Sequence, residues 1–170
     1  MKIQIIDSME ELISYLEEWE NILKEIDNDI LFLEPDWVVL WWKHFTHKYS
    51  LFVLLVTHDD QIVGICPLMI EKKGFYSEIS FIGGRQSSWM DLILKDEFRE
   101  EALFTVCDFL RSLKGRYIIR LDDICKKSVN YELLMEYLKI NKVPSVCSSK
   151  VFYFLDLTDK EFNSHFENRF

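Results

Sequence analysis

Apolar and polar positions change period several times along the chain, and each change marks an element. The densest strand signal lies in residues 51–94. Residues 51–56 form an apolar run rich in β-branched and aromatic side chains, and His58-Asp59-Asp60 interrupts it. Residues 61–70 form a second run, Lys72-Lys73-Gly74 a second break, and residues 75–82 a third run. Three strand-like runs joined by two short polar turns predict an antiparallel meander, because tight connections join only antiparallel neighbours. Gly83-Gly84-Arg85-Gln86-Ser87-Ser88 then reads as a loop, and residues 89–94 as one more short strand-like run.

The flanks of this block alternate between helix and strand periods. Lys2-Ile3-Gln4-Ile5 alternates as a half-buried strand. Ser8 and Glu11 have the spacing of a capping box, in front of Leu12, Leu16, Trp19, Leu23 and Ile26 at helical spacing. Asp27-Asn28-Asp29 ends that helix. Glu34-Pro35-Asp36 opens a second one, with proline in the first turn and acids near the positive helix end. Trp37, Val38, Leu40, Trp41, Trp42 and Phe45 leave the second helix apolar around much of its girth, as expected of core or interface packing. After the meander, Asp96 is a plausible cap for a helix burying Phe98, Ala102, Val106, Phe109 and Leu113, closed by Lys114-Gly115. Residues 117–121 read as a strand, and Ser128 caps a helix that turns Leu133, Leu134, Tyr137 and Leu138 inward. Pro144 stops it. Residues 146–157 alternate with both faces apolar, the pattern of a central strand. Thr158 and Glu161 form a second capping box, and Phe162, Phe166 and Phe170 follow at four-residue spacing.

This order describes one α/β domain over residues 1–157, a mixed sheet whose meander is followed by helix–strand units. A short amphipathic helix needs a surface to cover its stripe. Residues 158–170 are therefore expected to lead into a further part of a longer polypeptide.

Composition narrows the partners. The chain has 170 residues, 49% of them hydrophobic, and a formal net charge of −9, which argues against a nucleic-acid backbone or an anionic membrane as the main partner. No apolar run is long enough to span a bilayer, and the N-terminus lacks the layout of a signal peptide. Cys66, Cys107, Cys125 and Cys147 have no paired spacing and read as reduced thiols, mostly in the core, of a soluble cytoplasmic protein.

Few residues advertise chemistry. His44 and His47 are three apart, but no carboxylate or cysteine partner is identifiable, so they read as surface histidines, as does His58 beside Asp59. No metal site is expected. Gly83-Gly84-Arg85-Gln86 offers backbone N–H groups, yet a strong phosphate site should run straight into a helix, and the strand-like 89–94 intervenes. Asp91 stands between apolar neighbours, where a charge is costly unless bonded or facing a cleft. Two readings are open for it: a catalytic or binding carboxylate, or an edge-strand aspartate bonded to backbone N–H groups of the preceding loop. Arg120 in its apolar strand is expected to face water or a neighbouring acid.

The elements in order resemble a family. Leu33-Glu34-Pro35-Asp36-Trp37, continuing through Leu40-Trp41-Trp42, resembles the "sPxWl…aWw" helix of the CelD-like, cellulose-biosynthesis-type acetyltransferases of the GNAT superfamily. Gln61-Ile62-Val63-Gly64 with Cys66-Pro67-Leu68 is similar to that family's "G-x-x-Pro-Leu" strand. Phe81-Ile82-Gly83 followed by Trp89-Met90-Asp91-Leu92-Ile93-Leu94 is similar to its "flG…Dyxdll" segment. The resemblance implies a GNAT-like (acyl-CoA N-acyltransferase) fold and, as in the Fem-type peptidyltransferases, two such halves in tandem. It implies transfer from acetyl-CoA or another acyl-CoA to an amine or hydroxyl acceptor, a small molecule or a saccharide, held between the halves. The pyrophosphate loop of GNAT enzymes, Arg/Gln-x-x-Gly-x-Gly/Ala entering a helix, has only Arg85-Gln86-Ser87-Ser88-Trp89 as its nearest match, with neither glycine. On this reading the chain is the acceptor-side N-terminal half, inactive and without cofactor alone, and its partner is the C-terminal half. Asp91 would be catalytic, with Arg85 and Trp89 lining the acceptor site. The alternatives are a single-domain GNAT enzyme and a non-enzymatic interaction module that binds a partner or self-associates as a homodimer.

Overall fold

The expected meander is present, but each of its first two strands is cut in two and changes sheet. The computed structural model describes residues 1–150, with Arg85 described by its backbone alone. β1 (Lys2–Ile6) is followed by helices α1 (Met9–Ile13), α2 (Leu16–Glu25) and α3 (Pro35–Phe45). The meander comprises β2 (Tyr49–Leu51), β3 (Val53–His58), β4 (Gln61–Cys66), β5 (Leu68–Lys73) and β6 (Tyr76–Phe81). The cuts fall at Phe52 and Pro67. Proline has no N–H to give to a ladder, so a strand that contains it must bend or end there. The backbone stays bonded across the junction: Phe52 N donates to Leu68 O at 3.1 Å and Ile82 N to Pro67 O at 2.8 Å.

The chain closes with β7 (Ile93–Leu94), α4 (Arg99–Ser112), β8 (Tyr117–Arg120) and α5 (Val129–Ile140). One sheet has the order β1-β3-β4-β7 and is antiparallel throughout; the other has the order β2-β5-β6-β8. In the second sheet β6 and β8 run parallel, from Ser77 beside Tyr117 to Ser80 beside Arg120. A parallel pair needs a crossover, and α4 supplies it. The fold is thus a mixed α/β arrangement, an antiparallel meander followed by helix–strand units.

The core follows from these junctions. β3 is buried on both faces from Val53 to Val56. α4 covers the first sheet with Ala102, Leu103, Val106 and Leu110, and α2 packs on it with Trp19, Ile22 and Leu23. Trp19 is fully buried, and its indole N–H donates to Leu33 O at 2.9 Å, tying α2 to the turn before α3.

Three expectations change. The first helix breaks between Ile13 and Leu16, because the Ser14 hydroxyl donates back to Glu11 O at 2.7 Å and closes α1 early. Asp96 does not cap α4 directly; residues Asp96–Phe98 make a 3₁₀ turn before the helix, and Asp96 pairs with Arg99 instead. Of the strand-like residues 89–94, only Ile93 and Leu94 pair in a sheet, since Trp89 takes a left-handed φ of 56°. Ser128 does cap α5, its hydroxyl accepting from Asn130 N at 3.1 Å. Residues 146–150 form no regular element, and Lys150 is held to Asp123 at 3.1 Å. The remainder of the expected last strand, and the helix expected over 158–170, lie outside the described residues.

Candidate functional site

Between β6 and β7 the chain runs through an irregular segment that α3 and α5 hold from two sides. Gly83 starts it with φ 111°, and a Cβ at that position would lie 1.9 Å from Ser87 Oγ, so the turn requires glycine. Residues Gly84–Gln86 make a 3₁₀ turn closed by Gln86 N donating to Gly83 O at 3.0 Å. Two indoles of α3, four residues apart and therefore on one face, reach this turn. Trp37 Nε1 donates to Ser87 Oγ at 3.0 Å and Trp41 Nε1 to Gln86 Oε1 at 3.3 Å. Trp41 is buried and stacks on Phe45, while Trp37 meets Phe32 edge-on. The tryptophan-rich helix is therefore a brace for the glycine turn as well as a packing element.

Asp91 is held from the other side. It is 8% exposed. Its Oδ1 accepts from Leu92 N at 2.7 Å and from Asn130 Nδ2 at 2.9 Å, and its Oδ2 accepts from Ser128 Oγ at 2.5 Å. Asn130 Nδ2 also donates to Leu92 O at 2.7 Å, and Asn130 Oδ1 accepts from Arg99 at 3.1 Å. Burial pushes the Asp91 carboxyl up from the ordinary aspartate range, and the donors from Ser128, Asn130 and Leu92 pull it partly back. The carboxylate thus joins the 83–92 segment to the start of α5. Its donors differ from the loop N–H groups expected from sequence: only Leu92 N is backbone, and it follows Asp91.

Trp89 is 40% exposed on the same segment, one residue before buried Met90, whose N–H donates to Asp123 O at 3.2 Å. Arg85 lies in the 3₁₀ turn, and its side chain is outside the described residues. Asp91 and Trp89 therefore share one segment but diverge, the acid inward to α5 and the indole outward.

A cleft of about 310 Å³ opens at the start of α3, and Trp37, whose N–H reaches Ser87, forms part of its wall. Leu31, Pro35 and Leu40 give it apolar surface, and Glu20, Glu34 and Asp36 give it carboxylates. Glu20 is 3.6 Å from Lys24, whereas Glu34 and Asp36 have no ion pair among the described residues. Leu31 and Leu40 are 62% and 54% exposed. Acids at a helix start are favoured by the helix dipole, and from sequence these two read only as helix-opening residues. What the fold adds is their place on the rim of an indole-walled cleft. Such a surface suits an ammonium group attached to an apolar or ring body.

The other candidates resolve simply. Arg120 pairs with Asp122 at 2.7 Å and lies 3.7 Å from Glu78. His44 and His47 are exposed, and His58 lies 3.5 Å from Asp59. Cys66 and Cys107 are buried, and burial pushes the Cys107 thiol up to about 12; Cys125 and Cys147 are exposed rather than in the core. Among the described residues no three His, Cys, Asp or Glu side chains gather to hold a metal, and no helix is long and apolar enough to cross a membrane. A CoA pyrophosphate would need successive N–H groups at a helix N-terminus. The 83–86 turn leads instead into extended Ser87 and left-handed Trp89, and α4 begins only at Arg99. That turn does not fit the pyrophosphate.

No protein-family model and no curated protein matches the chain. Solved structures do. A probable acetyltransferase is 13% identical, with 94% of this chain and 100% of that one covered at a TM-score of 0.46. An aminoglycoside acetyltransferase from an uncultured soil metagenomic sample, solved with sisomicin, is 15% identical, with 92% and 96% covered at 0.44. Glucosamine-6-phosphate N-acetyltransferase from Arabidopsis thaliana is 16% identical, with 92% and 100% covered at 0.40. These are loose superpositions of distant sequences.

Proposed function

We propose that the chain is the acceptor-side, N-terminal half of a CelD-like GNAT acyltransferase, and that its cleft holds an amine acceptor. The observation that carries this reading is the cleft wall formed by Trp37, with Glu34 and Asp36 on its rim, without an ion pair among the described residues, and the same indole bonded to Ser87 of the glycine turn. Support also comes from the order of the family-like segments and from a meander that passes into a parallel strand through α4. The acyl donor, acetyl-CoA or another acyl-CoA, is held by the C-terminal half of the same polypeptide, since the 83–86 turn lacks the helix-leading form that the pyrophosphate needs.

In this role Glu34 and Asp36 attract the ammonium form of the acceptor, Trp37 packs against its body, and the braced turn fixes where the amine comes to rest. Attack on a thioester needs the neutral amine, so the bound ammonium gives one proton to solvent water before it attacks. Asp91, with both oxygens occupied by protein donors, acts as a positioning residue that keeps Trp89 and the turn in place. Asp91→Asn, which keeps one acceptor oxygen, is expected to lower kcat several-fold in the whole protein while the KM for amine stays within about twofold. A direct base role predicts instead a loss of the pH dependence of kcat together with loss of turnover.

A non-enzymatic interaction module is favoured by one observation, the exposure of Leu40 (54%) and Phe45 (46%) on α3. That reading predicts self-association independent of any acyl-CoA, and Leu40→Lys would abolish it. Sedimentation of the two proteins, taken together with thiol release from acetyl-CoA by the full polypeptide, separates the readings, since the module predicts association with no release in any context.

A further inference from the structure

A second concave surface lies at the opposite end of β6 from the glycine turn, roughly 17 Å away along the strand at about 3.3 Å per residue. It is a cleft of about 200 Å³ between the β5–β6 turn and the start of β8, lined by Lys72, Phe75, Tyr76, Arg116 and Tyr117. In a chain of net charge −9 this lining contains no carboxylate. Its cations are also unpaired: neither Lys72 nor Arg116 has an ion pair or side-chain hydrogen bond among the described residues. By contrast, Lys48 and Lys73 both neutralise Glu71 on the adjoining strand surface. The rings are unusually open for their size, with Phe75 77% and Tyr117 38% exposed, and Phe75 meets Tyr76 edge-on at 5.4 Å.

The frame beneath these groups is fixed. Ser77 N donates to Arg116 O at 2.9 Å, which starts the parallel β6–β8 pairing at the floor of the cleft. Gly115, at φ 132°, turns the chain into β8, and a Cβ there would lie 3.0 Å from the Tyr117 ring. The ring therefore keeps its place only beside a glycine. Two cations without an ion pair among the described residues, on a fixed backbone and next to open aromatic faces, combine the donors that hold an oxyanion with the surfaces that stack a planar ring.

We propose that this cleft is a binding site for a small anion carrying a planar ring, of the nucleoside monophosphate class, separate from the acceptor cleft. Arg116 and Lys72 hold the anionic group, and Phe75 and Tyr117 take the ring. The test is calorimetric titration of the chain with AMP, with adenosine and inorganic phosphate as the ring-only and charge-only probes. AMP is expected to bind saturably and at least tenfold more tightly than either fragment, and to weaken as salt is raised. Arg116→Gln and Phe75→Ala are each expected to weaken AMP at least fivefold, while Glu34→Gln leaves it unchanged. Phe75 and Arg116 are exposed and Glu34 is half-buried at a helix start, so folding is retained, as an unchanged circular dichroism melt would show. Absence of saturable AMP binding, affinity no better than that for phosphate, or binding indifferent to Arg116→Gln would overturn the proposal. The amine cleft is untouched by these outcomes.

Discussion

Asp91 is a buried acid whose charge is opposed by burial and supported by three donors, and the balance leaves its carboxyl above the ordinary range. The sign of the pH dependence follows. The folded state holds the proton more tightly than the unfolded chain, so the stability it contributes is full below the unfolded aspartate pKa. It is lost as pH rises through the raised folded value. Denaturation midpoints taken from pH 3.5 to 7 should therefore fall more steeply in the wild type than in Asp91→Asn, which has no proton to lose. Asp91→Ala takes the acceptor from Leu92 N, from the Ser128 hydroxyl and from one of the two bonds of Asn130 Nδ2, and is expected to cost about 1–3 kcal/mol at neutral pH. Gly83→Ala must accommodate a Cβ at a positive φ and against Ser87, an expected loss of about 1–3 kcal/mol. Urea denaturation measures both. The cost of burying Asp91 was legible from its apolar neighbours in sequence. Its partners were not, because Ser128 and Asn130 lie 37 and 39 residues away and meet it only through the fold.

At the scale of elements, periodicity located most of the helices and strands, since amphipathic spacing is a local property. What it missed were tertiary decisions. The sheet switch at Phe52 and Pro67 depends on where the second sheet forms. The early stop of α1 depends on a serine hydroxyl choosing the backbone over water. The α3 tryptophans read as packing, and Trp41 does pack, but their N–H groups find the glycine turn only because the fold lays α3 against the segment that follows β6. Trp19→Phe leaves Leu33 O without its donor and empties the space of the indole's second ring, an expected loss of at least about 1–2 kcal/mol by thermal or urea denaturation. Trp37→Phe removes the donor to Ser87 and loosens the turn. In the whole protein it is expected to raise the KM for amine about three- to tenfold with little change in global stability.

For the whole molecule, the account joins two surfaces at opposite ends of one strand: an acidic, indole-walled cleft beside the β6–β7 segment and a basic, aromatic cleft at the β5–β6 turn. Neither was visible in composition, because a net charge averages over both. The central claim is that the acidic cleft receives the amine of an acyl transfer. The most direct measurement is thiol release from acetyl-CoA by the full encoded polypeptide over a panel of primary amines, comparing wild type with the Glu34→Gln/Asp36→Asn double variant. The account predicts amine-dependent release in the wild type. In the double variant, KM for amine should rise at least tenfold while kcat stays within about threefold. No amine-dependent release, or a KM that the double variant leaves unmoved, would contradict it.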